Sequence, residues 1–306
     1  MHADDPPTLT LAASAPAAGW VQRAQPWLGT LVRIGVQGLD AAAAGAAIDR
    51  GFAAVAAIHG LMSFHEPGSE LSRLNREAAH GAVRVDRHTR EVLELALAVA
   101  EASGGVFDPT IAPWLVGWDY LPEPADAPRP QPQATWRDIE LDGDAVRFRC
   151  PLWLDFGGIA KGYAVDAALE AMALPSRVQA CVDAGGDLRV SGPRPQRVVL
   201  NAPAQRPEAL PLLELTDGAV ASSTGLRSRR RRAARWVGPH LHGRRRRPAP
   251  VERFASVVAP RCAVADALTK VALAAGPDAA STYARFDATA HLFSRGVGWQ
   301  TIGRTA

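Results

Sequence analysis

The most informative segment of this chain is DFGGIAKGYAVD, residues 155–166. The apolar run before it predicts a strand over Pro151–Asp155, and the residues after the two glycines predict an amphipathic helix over Ala160–Ala173. A glycine pair at a strand-to-helix joint lets a ligand approach bare backbone, and the helix N-terminus behind it favours negative charge. The stretch therefore indicates either a site for a phosphorylated ligand or an ordinary tight turn.

Six other short sequence blocks lie on both sides of this stretch. They are LGT (28–30), SFHEPGSELSRLN (63–75), GGVFDPTIAP (104–113), DAGGDL (183–188), AVASS (219–223) and AVADALTK (263–270). Together with residues 155–166, and in this order, they resemble the ApbE family of FAD:protein FMN transferases, from about residue 27 to about residue 276. One block alone is a weak signal, whereas the ordered set is specific.

Length and composition indicate a globular protein. A chain of 306 residues allows one large domain or two small ones. We expect residues 1–22 to form a flexible tail, because acids and prolines stand where a signal peptide needs a basic segment. The remainder, residues 23–306, is then a single ApbE-like domain. No uninterrupted apolar run of about 18 residues is present, which predicts no membrane span.

The three cysteines have a spacing that fits no metal knuckle. An odd number of thiols with apolar neighbours suggests buried, reduced cysteines, and we expect a cytoplasmic protein. The family resemblance implies the alternative of a periplasmic or membrane-associated protein, because many relatives work outside the cytoplasmic membrane.

Positive charge is concentrated in one arginine-rich loop, residues 227–250, although the formal net charge is only +3. Ten arginines lie between Arg227 and Arg247. Such a run is usually a solvated loop, and the open alternatives are a contact with a flavin phosphate or a patch for a polyanion. The low net charge makes nucleic acid an unlikely partner.

Short strands outnumber helices and do not alternate with them regularly, which predicts an α+β fold of layered mixed or antiparallel sheets with flanking helices. No Gly-x-Gly-x-x-Gly follows a strand, so a Rossmann site is not expected. The resemblance implies an ApbE-like, T-fold-like architecture. Three local expectations are a hairpin around residues 142–144, a loop over Met62–Asn75 and a helix capped by Thr89.

The resemblance also implies a reaction. A threonine hydroxyl of an acceptor flavoprotein attacks the FMN phosphorus of FAD, FMN becomes esterified to the threonine, and AMP leaves. Such a step needs a cation to neutralise the pyrophosphate, donors aimed at its oxygens and a base for the hydroxyl. FAD is then the substrate, Mg²⁺ the expected cation and the acceptor flavoprotein the partner.

The metal site that the resemblance implies maps to the carbonyl of Gly158 and to Asp266. The family has a threonine four residues after this aspartate, whereas this chain has Lys270 there and Thr269 one place earlier. Because positions three and four apart lie on one helical face, Thr269 remains a candidate ligand, directly or through water. The alternative is that Lys270 pairs with Asp266 and that its ammonium stands where the cation would sit.

Seven residues are candidates for contact with FAD: Leu28, His65, Val106, Phe107, Asp108, Asp155 and Lys161. The resemblance places Phe107 and Asp108 on the flavin side, and it places His65 where relatives often have a tyrosine that packs on the cofactor. Asp155 could orient the glycine turn by accepting a backbone N–H bond, and Lys161 could reach a phosphate oxygen as a point charge. Each residue also has an ordinary structural interpretation, as a turn, core or surface residue.

The catalytic candidates are Asp266, His240 and His242, with either histidine as a possible base. Relatives commonly carry His-x-x-Asp-Pro-x-Thr-Gly at this place, and this chain has glycine and arginines instead of Asp-Pro and Thr-Gly. The arginines could stabilise phosphate charge, or the chain could lack transfer activity.

Three alternatives to transfer stay open from the sequence. One is an Mg²⁺-dependent FAD pyrophosphatase that uses water and gives FMN and AMP. Another is a non-catalytic FAD-binding homologue. A third is a polyanion-binding module built on the arginine-rich loop, and it leaves the glycine blocks unexplained.

Overall fold

The computed structural model describes residues 19–202, 210–232 and 235–303. The helices are α1 (Ala41–Met62), α2 (Glu70–Glu77), α3 (Arg87–Ala102), α4 (Ala112–Gly117), α5 (Ala160–Ala171), α6 (Cys262–Ala275) and α7 (Ala280–Arg285). The strands are β1 (Trp20–Trp27), β2 (Thr30–Gln37), β3 (Val83–Arg84), β4 (Ile139–Asp142), β5 (Ala145–Phe148), β6 (Gln179–Ala184), β7 (Asp187–Ser191), β8 (Gln196–Val199), β9 (Leu212–Leu215), β10 (Gly218–Thr224), β11 (Arg230–Arg232), β12 (Arg235–Val237), β13 (Leu241–His242), β14 (Arg247–Pro248), β15 (Phe254–Ala259), β16 (Thr289–Ser294) and β17 (Gly298–Ile302).

One eight-stranded sheet organises the fold, in the order β1-β2-β6-β7-β10-β15-β16-β17. All strand pairings in the described ranges are antiparallel, which confirms the α+β prediction in its antiparallel form. Helices α1, α5 and α6 pack on one face and bury the main core against it. A smaller apolar cluster, to which the β8–β9 hairpin contributes, covers the other face.

The N-terminal expectation needs a correction. Residues 1–18 of the predicted flexible tail lie outside the described residues. Residues 20–22 belong to β1, which pairs with β2 from Trp20↔Gln37 to Trp27↔Thr30. The tail prediction is therefore wrong for these three residues, because their backbone groups are held by the ladder of an edge strand.

Helix α1 is long and apolar enough to cross a membrane by length and composition, with a mean hydropathy of 1.4. The prediction of no span relied on uninterrupted apolar runs, which Asp49 and Arg50 break. In the fold, Ile48 and Phe52 of this helix are buried in the cluster that α1 shares with β2 and α5. This packing accounts for the apolar composition, so the composition is only weak evidence for a span.

Of the three local predictions, the hairpin is confirmed, the loop is wrong in its second half and the helix cap is wrong. The predicted hairpin is confirmed by β4 and β5, but the predicted loop over Met62–Asn75 is wrong after Ser69, which caps α2 by accepting from Ser72 N at 3.0 Å. The cap of α3 is Asp86, which accepts from His88 N at 2.8 Å. Thr89, the predicted cap, is buried within the helix, where its hydroxyl cannot serve that role.

The predicted strand over Pro151–Asp155 is also wrong, for an informative reason. This segment is extended but pairs with no neighbouring strand in the described residues. The Asn75 side chain replaces a strand, since it accepts from Leu154 N at 2.7 Å and donates to Leu154 O at 3.0 Å. Asp155 N then donates to Pro109 O at 2.8 Å, which holds the glycine turn against the loop before α4.

Helices α5 and α6 cap each other through one aspartate each. Asp166 of α5 accepts from the Cys262 and Ala263 N–H groups, both at 2.9 Å, at the start of α6. Asp266 of α6 accepts from Gly162 N at 3.1 Å in the first turn of α5. Each carboxylate thereby satisfies N–H groups that a helix start leaves without an internal partner. The two helix starts are locked side by side.

This close approach requires a glycine at residue 162. A Cβ atom there would lie 2.3 Å from the Cys262 carbonyl oxygen and 2.8 Å from Asp266 Cβ. We predict that Gly162→Ala lowers the free energy of unfolding by about 1–3 kcal/mol through overpacking, as measured by urea unfolding. Gly60→Ala is the matched control, because a Cβ on this exposed glycine of α1 meets nothing within 4 Å and should stabilise the helix by up to about 1 kcal/mol. Equal stabilities of the two variants would contradict the proposed packing.

Candidate active site

A cavity of about 410 Å³ opens where the glycine turn, the start of α5 and the end of β10 meet. Seven of the predicted site residues line it: Val106, Phe107, Asp108, Asp155, Gly158, Lys161 and His240. These residues come from separate segments of the chain, and the fold brings them to one place. Asp266 lies beneath the cavity floor and is fully buried.

Two lysines and two aspartates form the floor. Lys270 donates to Asp266 Oδ1, and Lys161 donates to Asp187 Oδ2. The Lys161 ammonium also lies 3.8 Å from Asp266 Oδ2, the same oxygen that accepts from Gly162 N. We call these four charged residues the lysine–aspartate cluster. Both lysines line the cavity, whereas both carboxylates are buried.

The electrostatics of the cluster follow from burial and charge. Burial and the neighbouring Asp266 carboxylate raise the pKa of Asp187 to about 6. Burial would also raise the pKa of Asp266, but Lys161 and Lys270 together outweigh this effect and hold it below its usual range. The two carboxylates in turn raise the pKa of Lys161, against the effect of its burial. The two lysine side chains therefore line the cavity above the two buried carboxylates.

The glycine turn is held as the sequence predicted for Asp155. Its Oδ1 atom accepts from Gly157 N at 3.0 Å, which fixes the turn backbone at the cavity wall. Burial raises the pKa of this carboxyl group, and the Gly157 N–H bond only partly offsets that effect. Contact of Asp155 with FAD stays a prediction.

Asp108 has structural partners on both oxygens. Its Oδ1 atom accepts from Thr110 N at 2.9 Å and from Thr110 Oγ1 at 2.7 Å, and Oδ2 lies 3.1 Å from an Arg246 nitrogen. The side chain therefore fixes the loop that carries Val106 and Phe107 to the cavity. The Arg246 guanidinium stacks on Trp114, 4.4 Å from its ring centre, so one arginine of the arginine-rich loop is anchored inside the protein.

Thr269, the predicted third metal ligand, does not line the cavity. It is fully buried, donates its hydroxyl hydrogen to Asp266 O at 2.7 Å, and lies 2.9 Å from Ser223 Oγ. One residue along a helix rotates a side chain by about 100°, and here that rotation turns Thr269 toward β10 and Lys270 toward the cavity.

The two histidine candidates are separated by the fold. His240 lines the cavity, whereas His242 lines a different cavity of about 620 Å³ beside α6 and α7. Burial lowers the pKa of His240 to about 3, and the nearby Lys270 charge adds to the effect. Burial and the arginines of its own loop lower the pKa of His242. His240 is therefore the histidine that can meet a ligand in the cavity, as a neutral ring.

The structure places the last two candidates away from the cavity wall. Leu28 is half-buried between the two large core clusters, with a positive φ of 56° in the β1–β2 turn. His65 lines an adjoining cavity of about 550 Å³, which shares Tyr120 and Leu121 with the site. His65 can thus meet only a ligand that extends beyond the main cavity.

Sequence reasoning missed several cavity residues, including Tyr120 and Ser223. Ser223 belongs to the AVASS block, so its motif was visible although its role was not. Tyr120 lay beside a proline-rich segment without a motif, and its hydroxyl donates to the Ser228 and Val237 carbonyls at 2.6 and 3.0 Å. Arg230 stacks 4.7 Å above the Tyr120 ring, so the arginine-rich hairpin β11–β12 is tied to the cavity rim.

The lowered pKa of His240 predicts a pH effect on folding. The folded ring stays neutral down to about pH 3, whereas a histidine of the unfolded chain takes up a proton near about pH 6.5. This group's contribution to stability is complete above about pH 6.5 and is lost as the pH falls toward about pH 3. We expect His240→Gln to lose less unfolding free energy than the wild type between about pH 7 and about pH 5, measured by urea unfolding. His80→Gln, at an exposed turn position, is the control, and the same loss in wild type and His240→Gln would contradict a neutral buried ring.

Comparisons with known proteins identify the family to which this sequence is similar. The ApbE family profile matches residues 28–293. A FAD:protein FMN transferase of Treponema pallidum is 31% identical over 186 residues, which cover 56% of this chain and 51% of that protein. A FAD:protein FMN transferase of Salmonella typhimurium is 26% identical over 242 residues, with 74% of this chain and 68% of that protein covered. The alignments with the Treponema protein and with a Vibrio cholerae relative span about half the length of those relatives, 51% and 54%.

Solved structures share the fold over nearly the whole chain. The ApbE protein of Thermotoga maritima superposes with a TM-score of 0.78 at 24% identity, covering 92% of this chain and 96% of that one. The apo flavinyl transferase ApbE of Pseudomonas stutzeri gives a TM-score of 0.77 at 23% identity, covering 92% and 93%. The family match extends over most of the chain and includes every segment that builds the cavity, and we conclude that this chain belongs to the ApbE family.

Proposed function

We propose that this protein transfers FMN from FAD to a threonine hydroxyl of an acceptor flavoprotein and releases AMP. The observation that carries this proposal is the cavity in which Lys161 and Lys270 face the Gly157–Gly158 turn at the start of α5. The names of the relatives, FAD:protein FMN transferases, support flavin transfer as the reaction class.

The cavity chemistry suits a pyrophosphate. Two fixed ammonium groups and the N-terminal end of a helix attract its negative charge, and the bare glycine backbone allows close approach of its oxygens. The Val106–Phe107 segment supplies an apolar wall on the neighbouring side, suited to a flavin ring. The arrangement thus has one polar end for phosphates and one apolar end for an aromatic system.

Transfer forms one bond and breaks one bond. The threonine oxygen bonds to the phosphorus of the FMN half, while the bond from that phosphorus to the bridging oxygen breaks. AMP leaves with the electron pair of the bridging oxygen, and the hydroxyl proton passes to a base. Lys161 and Lys270 stabilise the charge that develops on the phosphate oxygens during this step.

Two cavity groups are candidates for the proton acceptor. His240 is neutral and lines the cavity, but a pKa of about 3 makes it a weak base and a better hydrogen-bond partner. Asp155 has a raised pKa. Its Oδ1 atom accepts from Gly157 N, so its Oδ2 atom is the better candidate to accept the hydroxyl proton. His242 opens into another cavity and has no role in this step.

The donor set does not fit the Mg²⁺ ion that the family resemblance implies. Mg²⁺ needs several oxygen ligands, but the oxygens of Asp266 already accept from Lys270 and from Gly162 N. Thr269 points away from the cavity, and the described parts of the chain hold no group of three histidine, cysteine or acidic side chains that could bind a metal ion. No step is therefore assigned to a metal.

The test of transfer follows both products. Purified protein is incubated with FAD and a candidate acceptor flavoprotein; AMP release is followed by chromatography and the acceptor mass by mass spectrometry. We expect AMP release together with an acceptor mass increase equal to one esterified FMN on a threonine. FAD consumption with an unmodified acceptor would identify a pyrophosphatase, and intact FAD would identify a non-catalytic flavin-binding protein.

A substitution in the lysine–aspartate cluster tests the role of its charge. We predict that Asp266→Asn lowers the rate of AMP release at least about a hundredfold, because the isosteric amide removes the carboxylate that holds the Lys270 ammonium and faces the Lys161 ammonium. Asp49→Asn on the exposed side of α1 is the matched control. An unchanged rate in Asp266→Asn, with the fold verified by circular dichroism, would remove Asp266 from the mechanism.

A further inference from the structure

Lysine is used in this chain only at the candidate active site. Of the 34 lysines and arginines, two are lysines, and both belong to the lysine–aspartate cluster. Arginine carries a broad planar charge, whereas the lysine ammonium is a compact point charge on a flexible stem. The chain thus has arginine at every other Lys or Arg position and places its two compact ammonium groups in the wall of this cavity.

The Lys270 side chain places a positive charge directly against Asp266. Its ammonium donates to Asp266 Oδ1 and lies 3.2 Å from Ser223 Oγ, at the cavity floor. Its stem passes Gly158 so closely that a Cβ atom added to this glycine would lie 3.6 Å from the Lys270 Cγ and Cε atoms. The positive charge therefore stands between the glycine turn and Asp266, and its own side chain holds it there.

Three of the four carboxylate oxygens in the cluster are already engaged, and only Asp187 Oδ1 has no hydrogen-bond partner. Asp266 Oδ2 accepts from Gly162 N and faces the Lys161 ammonium, and the Thr269 hydroxyl is turned into the helix backbone. A divalent ion at Asp266 would have to displace one ammonium and would then face the other at short range, which is electrostatically unfavourable.

We infer that the Lys270 ammonium replaces the divalent cation of this site, so that the protein binds the pyrophosphate of FAD without a metal ion. The inference rests on the proposed function for the identity of the ligand. Lys161 supplies a second ammonium group in the wall of the same cavity. The protein thus carries its cation as part of the chain.

The first test uses Mn²⁺ alone as the probe, measured by electron paramagnetic resonance on protein stripped with EDTA. We expect no stoichiometric binding by the wild type at micromolar Mn²⁺. Lys270→Thr frees Asp266 Oδ1 and adds a hydroxyl one turn away, so this variant should gain Mn²⁺ binding. Lys270→Arg is the matched control, since it keeps the charge, adds no acceptor and should bind no Mn²⁺. The inference would be overturned if the wild type bound Mn²⁺ stoichiometrically and Asp266→Asn abolished this binding. That comparison does not require any Lys270 variant to fold.

The second test measures FAD affinity by fluorescence in EDTA and in MgCl₂. We expect the wild-type affinities to agree within about threefold, and we expect Lys270→Thr to bind at least about tenfold more weakly in EDTA and to recover with MgCl₂. Protein labelled with ¹³C at lysine Cε gives two signals, and the one lost in Lys270→Arg should shift when FAD is added in EDTA. A wild type that loses FAD affinity more than about tenfold in EDTA would refute metal-free binding.

These readouts separate the inference from the proposed function. If FAD binds without metal but no AMP is released under any condition, the inference stands and transfer fails. If AMP is released only with MgCl₂ and the wild type binds Mn²⁺, transfer stands and the inference fails.

Discussion

The pairing of α5 and α6 through reciprocal aspartate caps is the constraint on which the rest of the site depends. Asp166 and Asp266 each hold the first turn of the opposite helix, so neither helix start can move without breaking a buried, charge-assisted hydrogen bond. Such bonds are worth about 1.5–3 kcal/mol each, and more is lost when a buried carboxylate is left unpaired. The pairing brings the Gly162 backbone close to the Cys262 carbonyl group, and only glycine leaves room for this approach.

The same pairing buries a negative charge under the cavity. Asp266 cannot stay ionised in the interior without compensation, and Lys161 and Lys270 supply it from two directions. The helix caps and the charged floor are therefore one structure. A carboxylate that stabilises the fold also fixes two ammonium groups at the surface of the cavity, where they are available to a ligand with negative charge.

Much of the fold could be predicted from local sequence patterns. The residues after the glycine pair predicted α5 to within two residues of its observed end, and the turn residues 142–144 predicted the hairpin of β4 and β5. The failures occurred where side chains replaced regular backbone pairing. Asn75 takes the place of a strand beside Leu154, and Asp86 caps α3 three residues before the expected position. Whether a side chain takes such a position depends on contacts between distant segments or on a single rotamer, and the periodicity of the sequence does not encode either of these.

Sequence patterns predicted an α+β protein with a glycine turn at a helix start, and they identified many of the residues that line the cavity. They left open whether Lys270 would reach Asp266 and which of two histidines would line the cavity. The folded structure places Lys270 against Asp266 and His240 at the cavity, because both points depend on the direction in which a side chain projects. One residue along α6 separates a side chain that faces β10 from one that faces the cavity. His240 and His242 line different cavities, although residues two apart in a regular strand would share a face, so strand alternation does not predict their separation.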